Sequence, residues 1–144
     1  MRVYLDNCCY NRLYDDQDQL AVFLETEAIL FILDEIAIGR LDLAWSYMMD
    51  YENKNNSIAK HRGEIDDWRD FAVEIVRHDN IIEARQKHYM DLGLKSKDAV
   101  HLACAVEAGC ACFLTTDKGI LRKSREFPEI QIINPIAFAC DLKG

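Results

Sequence analysis

The sequence predicts an α/β protein, a three-layer α/β/α sandwich around a mostly parallel sheet, and three observations carry that expectation. Short apolar runs alternate with stretches of helical periodicity along the whole chain. No internal repeat, low-complexity tract or linker interrupts them. A length of 144 residues suffices for one core and not for two, so residues 1–144 read as a single domain.

Residues 2–5 read as a short buried strand ending at Asp6, and residues 7–18 as polar and turn-like. From about 19 to 38 the pattern is helical, with Leu20, Phe23, Leu24, Ala28, Phe31 and Ile32 at spacings of three and four, and Gly39 as a stop. Residues 41–45 alternate like a strand, after which Ser46 offers an N-cap for a helix to about Asn53. A second helical stretch is expected over 57–76, and 77–82 carries no clear pattern. Residues 82–93 read as a helix with a glycine stop. Ser96 would then cap a helix over 97–108, with Gly109 beyond its end. Residues 111–114 form an apolar strand, Thr116-Asp117 opens a short helix, and 130–133 is a last strand before Pro135.

Half of the residues are hydrophobic, 29% are charged and two are proline, which describes a folded globular chain. No stretch reaches the ~18–20 apolar residues that span a bilayer. Asp6 falls too early for a secretory signal, so the expected location is cytoplasmic and no membrane partner is expected. The six cysteines lack metal-site spacing. Cys104, Cys110 and Cys112 lie in an alanine-rich apolar region, so they read as small hydrophobes rather than disulfides or zinc ligands. The net charge of −8 opposes nucleic-acid binding unless cations cluster locally among the 17 Lys and Arg.

The carboxylates are the informative residues. Asp6 ends the first strand, and Asp117 follows the strand at 111–114. Asp98 lies in the first turn of the helix after Ser96, and Glu52 lies about two turns into the helix after Ser46. In a parallel sheet all four would meet at the carboxyl edge of the strands. Each also has an ordinary explanation: Asp98 and Asp117 sit where helix N-termini favour acids, Asp6 suits a turn, and Glu52 suits an exposed helix face beside Asp50. Clustered carboxylates repel unless a cation neutralises them or some take up protons. Ligands that are all oxygen suit Mg²⁺ or Mn²⁺ better than zinc.

The opening Val3-Tyr4-Leu5-Asp6, the run from Lys97-Asp98-Ala99-Val100-His101 to Ala105, and Leu114-Thr115-Thr116-Asp117-Lys118 resemble the acidic motifs of the PIN-domain family. Glu52 fits that pattern by its place after a strand, and the resemblance spans essentially the whole chain. It implies a PIN-like fold and a metal-dependent endoribonuclease that hydrolyses RNA phosphodiesters. It also implies Asp6, Glu52, Asp98 and Asp117 as catalytic, metal-holding residues with Mg²⁺ or Mn²⁺ as cofactor. Many small members are toxins of toxin–antitoxin pairs, so an antitoxin partner and a homodimer are implied as well. Thr116 stands where the family often has Asn, and Gly119 where it often has a further acid, which implies that a second metal is held poorly.

Other residues carry two readings each. Thr115 and Thr116 would place a hydroxyl near metal or phosphate, or Thr116 would cap the following helix. Ser46 is a cap or a donor to the site, and Asn7 either orients Asp6 or serves the turn. His101, one turn after Asp98, reads as a packed polar residue rather than a ligand. Arg12 and Lys118 would contact phosphate or are plain surface charge. The rival from another class is a non-catalytic PIN-like module that binds metal or RNA, or regulates a partner. A phosphoryl-accepting signalling domain would want paired acids where Asn7 follows a lone Asp6.

Overall fold

In the computed structural model, which describes residues 1–143, the β1 strand (Arg2–Leu5) runs through the middle of the molecule. Val3, Tyr4 and Leu5 are all buried, so side chains on both sides of the strand meet protein. On one flank lies β2 (Asp42–Ser46), on the other β4 (Cys112–Leu114). β3 (Ala72–Val76) pairs outside β2, and β5 (Gln131–Ile133) outside β4. The order is β3-β2-β1-β4-β5 and every pairing is parallel.

Parallel neighbours need crossovers, and here helices supply them. α1 (Asn7–Arg12) and α2 (Leu20–Ala37) join β1 to β2. α3 (Tyr47–Lys54), α4 (Ala59–Asp67) and a 3-10 turn at Trp68–Phe71 lead to β3. α5 (Asn80–Asp91) and α6 (Ser96–Glu107) pack on each other, and α6 crosses back over β2 and β4. α7 (Lys118–Arg122) precedes β5, and α8 (Pro135–Lys143) packs on α2. The core is continuous, from Trp45, Tyr4 and Phe113 in the sheet to Ile29, Ile32 and Leu33 on α2 and Val100, Leu102 and Ala103 on α6.

The sequence reading needs three corrections. Residues 7–12 are helical rather than a turn, because Asp6 accepts the Asn7 N–H and the helix buries Cys9 and Tyr10. Burial of one short apolar pair stabilises a helix too brief to show periodicity. The helix expected over 57–76 stops at Asp67, and 72–76 is the edge strand β3. Phe71, Ala72 and Ile75 satisfy helical spacing, but pairing with β2 decides the backbone. Ser96 is the first residue of α6 and not its cap; its hydroxyl accepts from Gln86 Nε2 at 3.0 Å.

β1 sends the chain to β2 on one side, and β4 receives it on the other. The strand order therefore reverses between β1 and β4, and a crevice opens there beyond their carboxyl ends.

Candidate active site

That crevice is a cavity of about 530 Å³ lined by Asp6, Glu52, Asp98 and Asp117 together with Asn7, Cys8, Asn11, Lys95 and Lys97. The four acids expected from the sequence thus face one space from the ends of β1 and β4 and from α3 and α6.

Asp6 is 6% exposed and well supported. Its Oδ1 accepts the Asn7 N–H at 2.8 Å, and its Oδ2 accepts the Thr115 hydroxyl at 2.9 Å. The same Thr115 oxygen accepts the Asp117 N–H at 3.1 Å. One buried threonine therefore locks the β1 acid to the backbone that carries the β4 acid. Thr116 does not cap α7; Asp117 does, with Oδ1 accepting the N–H groups of Gly119 and Ile120 at 2.8 and 3.2 Å. An ideal Cβ on Gly119 would lie 3.1 Å from that Oδ1, so an acid at this position would crowd the cap.

Glu52 is held by side chains on both of its oxygens. Its Oε2 accepts from Asn7 Nδ2 at 3.0 Å, and its Oε1 lies 2.5 Å from His101 Nε2. Behind His101, Nδ1 is 2.6 Å from the Tyr4 hydroxyl, which is 2.6 Å from Ser46 Oγ, which accepts the Met49 N–H at 3.3 Å. Ser46 is thus both helix cap and network member. One set of hydrogen positions satisfies the whole row: Ser46 donates to Tyr4, Tyr4 to His101 Nδ1, and His101 Nε2 to Glu52. On the other side Asn56 donates to Asn11, Asn11 to Asn7 and Asn7 to Glu52, each through its side-chain amide. Burial alone would raise the Glu52 pKa, but the His101 hydrogen bond, with the Lys97 charge and the Asn7 hydrogen bond, outweighs it and holds the group below its ordinary value.

Asp98 is the opposite case. It is half-buried and makes no side-chain hydrogen bond among the described residues. Burial first, then the charges of Asp6 and Asp117, push its pKa up to about 6. The free oxygens of the site are therefore both of Asp98 and Oδ2 of Asp117, with remaining lone pairs on Asp6.

Among the described residues no three acidic, histidine or cysteine side chains stand close enough to enclose a metal ion by themselves. The donor set still fits a hard divalent cation that keeps several of its waters and takes only one or two carboxylates directly, as Mg²⁺ does. Both Glu52 oxygens are engaged by protein donors, so Glu52 suits a hydrated ion's outer waters better than direct ligation.

The raised Asp98 pKa makes a prediction for the metal-free protein. A carboxyl whose pKa lies above its ordinary 3.8 stabilises the fold when protonated. That contribution is complete below about pH 4 and lost as pH rises through about 6. In EDTA, thermal stability should fall between pH 5 and 7 by on the order of 1 kcal/mol more for wild type than for Asp98→Asn, allowing for partial exposure. Parallel pH profiles for the two proteins would show that neither burial nor the neighbouring acids raise the Asp98 pKa.

Sequence reasoning named the acids and, beside them, Asn7, Ser46 and Thr115, but missed Tyr4, Asn11, Asn56 and the bond from His101 to Glu52. A tyrosine inside an apolar strand must satisfy its hydroxyl when buried, so Tyr4 was a readable hint toward His101 and Ser46. Asn11, Asn56 and the half-buried Cys8, whose thiol lies 3.5 Å from Asp6 Oδ2, carry no comparable signal.

No protein-family model matches the chain, and no curated protein matches it. Solved structures similar to it include VapBC2 from Rickettsia felis bound to a DNA fragment from its promoter, at 12% identity and TM-score 0.60 over 93% of this chain and 98% of that one. Another is VapBC-1 from nontypeable Haemophilus influenzae, at 10% identity and TM-score 0.58 over 94% and 98%. At such identities the likeness is one of architecture, and this chain has the PIN-like α/β/α fold found in those VapBC structures.

Proposed function

We propose that this chain is a divalent-metal-dependent endoribonuclease that hydrolyses RNA phosphodiester bonds, acting as the toxin of a toxin–antitoxin pair in the cytoplasm. The observation that carries the reading is the convergence of Asp6, Glu52, Asp98 and Asp117 on one cavity at the topological switch point. The VapBC likeness supports the toxin reading and an antitoxin partner. The homodimer remains implied by the family resemblance alone.

Asp98 and Asp6, with Asp117 beside them, would hold Mg²⁺ or Mn²⁺. When bound, such an ion acts as a Lewis acid that makes water acidic enough to attack near neutral pH and offsets phosphate charge. The chain's own residues do the rest. Thr115 fixes the Asp6 carboxylate against rotation. Glu52, held below its ordinary pKa, is an anchored acceptor able to orient a water through its remaining lone pairs. The Asn7 amide and His101 ring keep it aimed into the cavity.

The test is incubation of purified protein with a mixed pool of structured and single-stranded RNA in Mg²⁺, Mn²⁺ or EDTA. Cleavage in either metal that stops in EDTA is expected. Absence of cleavage from folded protein that takes up Mn²⁺ would favour a non-catalytic metal- or RNA-binding module. The wide spacing of the acids and the glycine at position 119 are the observations on that side.

A further inference from the structure

An acidic protein that processes RNA must draw a polyanion to a cluster of carboxylates, and its net charge of −8 works against it. The cations beside the site are distributed in a way that answers this. The segment 118–125 carries Lys118, Arg122, Lys123 and Arg125 with no acid, and Lys95 just before α6 and Lys97 in its first turn add two more cations. Lys95, Lys97, Lys118, Arg122 and Arg125 are exposed. Among the described residues none of these side chains is in an ion pair, as is also true of Arg2, Lys54, Lys60, Arg62, Arg77 and Lys143; what sets this group apart is that its members are close together in the chain and adjoin the site.

They adjoin the acids directly. A second cavity of about 190 Å³ shares Asp98 and Asp117 with the first and is closed by Lys95, Lys123, Gly93 and Gly119. Gly93 explains how Lys123 gets there. A Cβ at that position would lie 2.5 Å from Lys123 Nζ, and the backbone φ of +104° already disfavours any other residue. The glycine leaves the space in which the ammonium lies across the turn before α6. Lys118 and Arg122 follow on one side of α7, four residues apart.

We infer that the turn at Gly93–Lys97 and the α7 segment form a one-sided cationic track, which holds the RNA backbone on the β4 side of the carboxylates. The inference rests on the endoribonuclease reading and adds where the strand lies. The α3–α4 side, where Lys54, Lys60, Arg62 and Arg69 are interleaved with Asp50, Glu64, Asp66, Asp67 and Asp70, has no acid-free cationic run and is left free of RNA. Single-stranded RNA is the occupant this chemistry fits: unpaired ammonium and guanidinium groups in file beside a cation-ready centre engage successive phosphates.

The experiment is fluorescence anisotropy with a labelled single-stranded RNA of mixed sequence, in EDTA and at several salt concentrations. Wild type, the Lys95→Ala/Lys118→Ala/Arg122→Ala triple variant and a Lys60→Ala/Arg77→Ala control would be compared after their melting curves are shown to match. The triple variant is expected to bind at least about tenfold more weakly and to lose about two units of the log–log salt slope, at roughly 0.7 per phosphate contact, with the control unchanged. Equal binding by the triple variant and wild type, or equal loss in the control, would overturn the track. Tighter binding of polyglutamate than of RNA would make the surface a protein-docking face and would also overturn it. Because binding is read without metal, track-dependent binding without any cleavage would remove the nuclease reading alone. Cleavage by the triple variant at wild-type rate under subsaturating RNA would remove the track alone.

Discussion

Asp98→Asn is expected to lower metal-dependent RNA cleavage by at least about 100-fold while leaving the fold intact. Asp98 is the acid whose both oxygens are free, and burial first, then the charges of Asp6 and Asp117, push its pKa up to about 6. Asparagine keeps the shape, removes the charge and relieves the repulsion in the metal-free protein. Loss of activity therefore cannot be traced to unfolding, and melting in EDTA at pH 7 should be no lower than wild type. The same substitution should abolish the rise in melting temperature that Mn²⁺ gives the wild type, which is about 1.4 kcal/mol at ten times the dissociation constant. Asp6→Asn should be equally inactive but also less stable by about 1 kcal/mol, because Asp6 accepts from both Asn7 and Thr115. Full activity in purified Asp98→Asn would sink the site assignment.

His101→Ala should be the most destabilising of the substitutions considered. The ring is fully buried and satisfies two groups at once, the Tyr4 hydroxyl and Glu52 Oε1. Removing it takes from the buried Tyr4 hydroxyl one of its two partners, leaving Ser46, and frees one side of a half-buried carboxylate, at about 1–3 kcal/mol for the buried polar groups. Opening a cavity beside Tyr4 and Phe113, which stack at 5.6 Å, adds to this. The sum should be about 3–4 kcal/mol, or roughly 8–15 °C in melting temperature for a chain of this size. His101→Gln, which can reach one partner, should recover part of it. A melting temperature within 2 °C of wild type for His101→Ala would show that the row of hydrogen bonds from Ser46 to Glu52 contributes little.

The two substitutions divide what was legible in the sequence from what was not. Asp6, Asp98 and Asp117 could be placed because each sits at the end of a strand or the start of a helix, where short-range patterning fixes position within a residue or two. The parallel sheet followed from alternation alone. β3 did not, because Ala72–Val76 carries apolar residues at helical spacing and becomes a strand only through its pairing with β2. α1 did not either, being held by the burial of Cys9 and Tyr10 and by a cap from the very residue read as catalytic. The pairing of His101 with Glu52 and the row of amides from Asn56 to Asn7 join residues 45 to 49 positions apart. No local pattern encodes contacts of that kind; they exist only once α3 has docked on both α1 and α6.

The central place of β1 has a consequence for how the molecule comes into being. Its acid is made first, yet the threonine that fixes that acid lies 109 residues further along the chain. Until β4 adds to the sheet, β1 has an open edge on that flank, and Asp6 has neither Thr115 nor the Asp98–Asp117 wall opposite it. Closing that long loop is an entropically expensive, late step. A nascent chain on the ribosome therefore carries separate carboxylates but no assembled acidic site until strand β4 has emerged. On the endoribonuclease reading proposed above, the chain would thereby be harmless to the message that encodes it for most of its own synthesis.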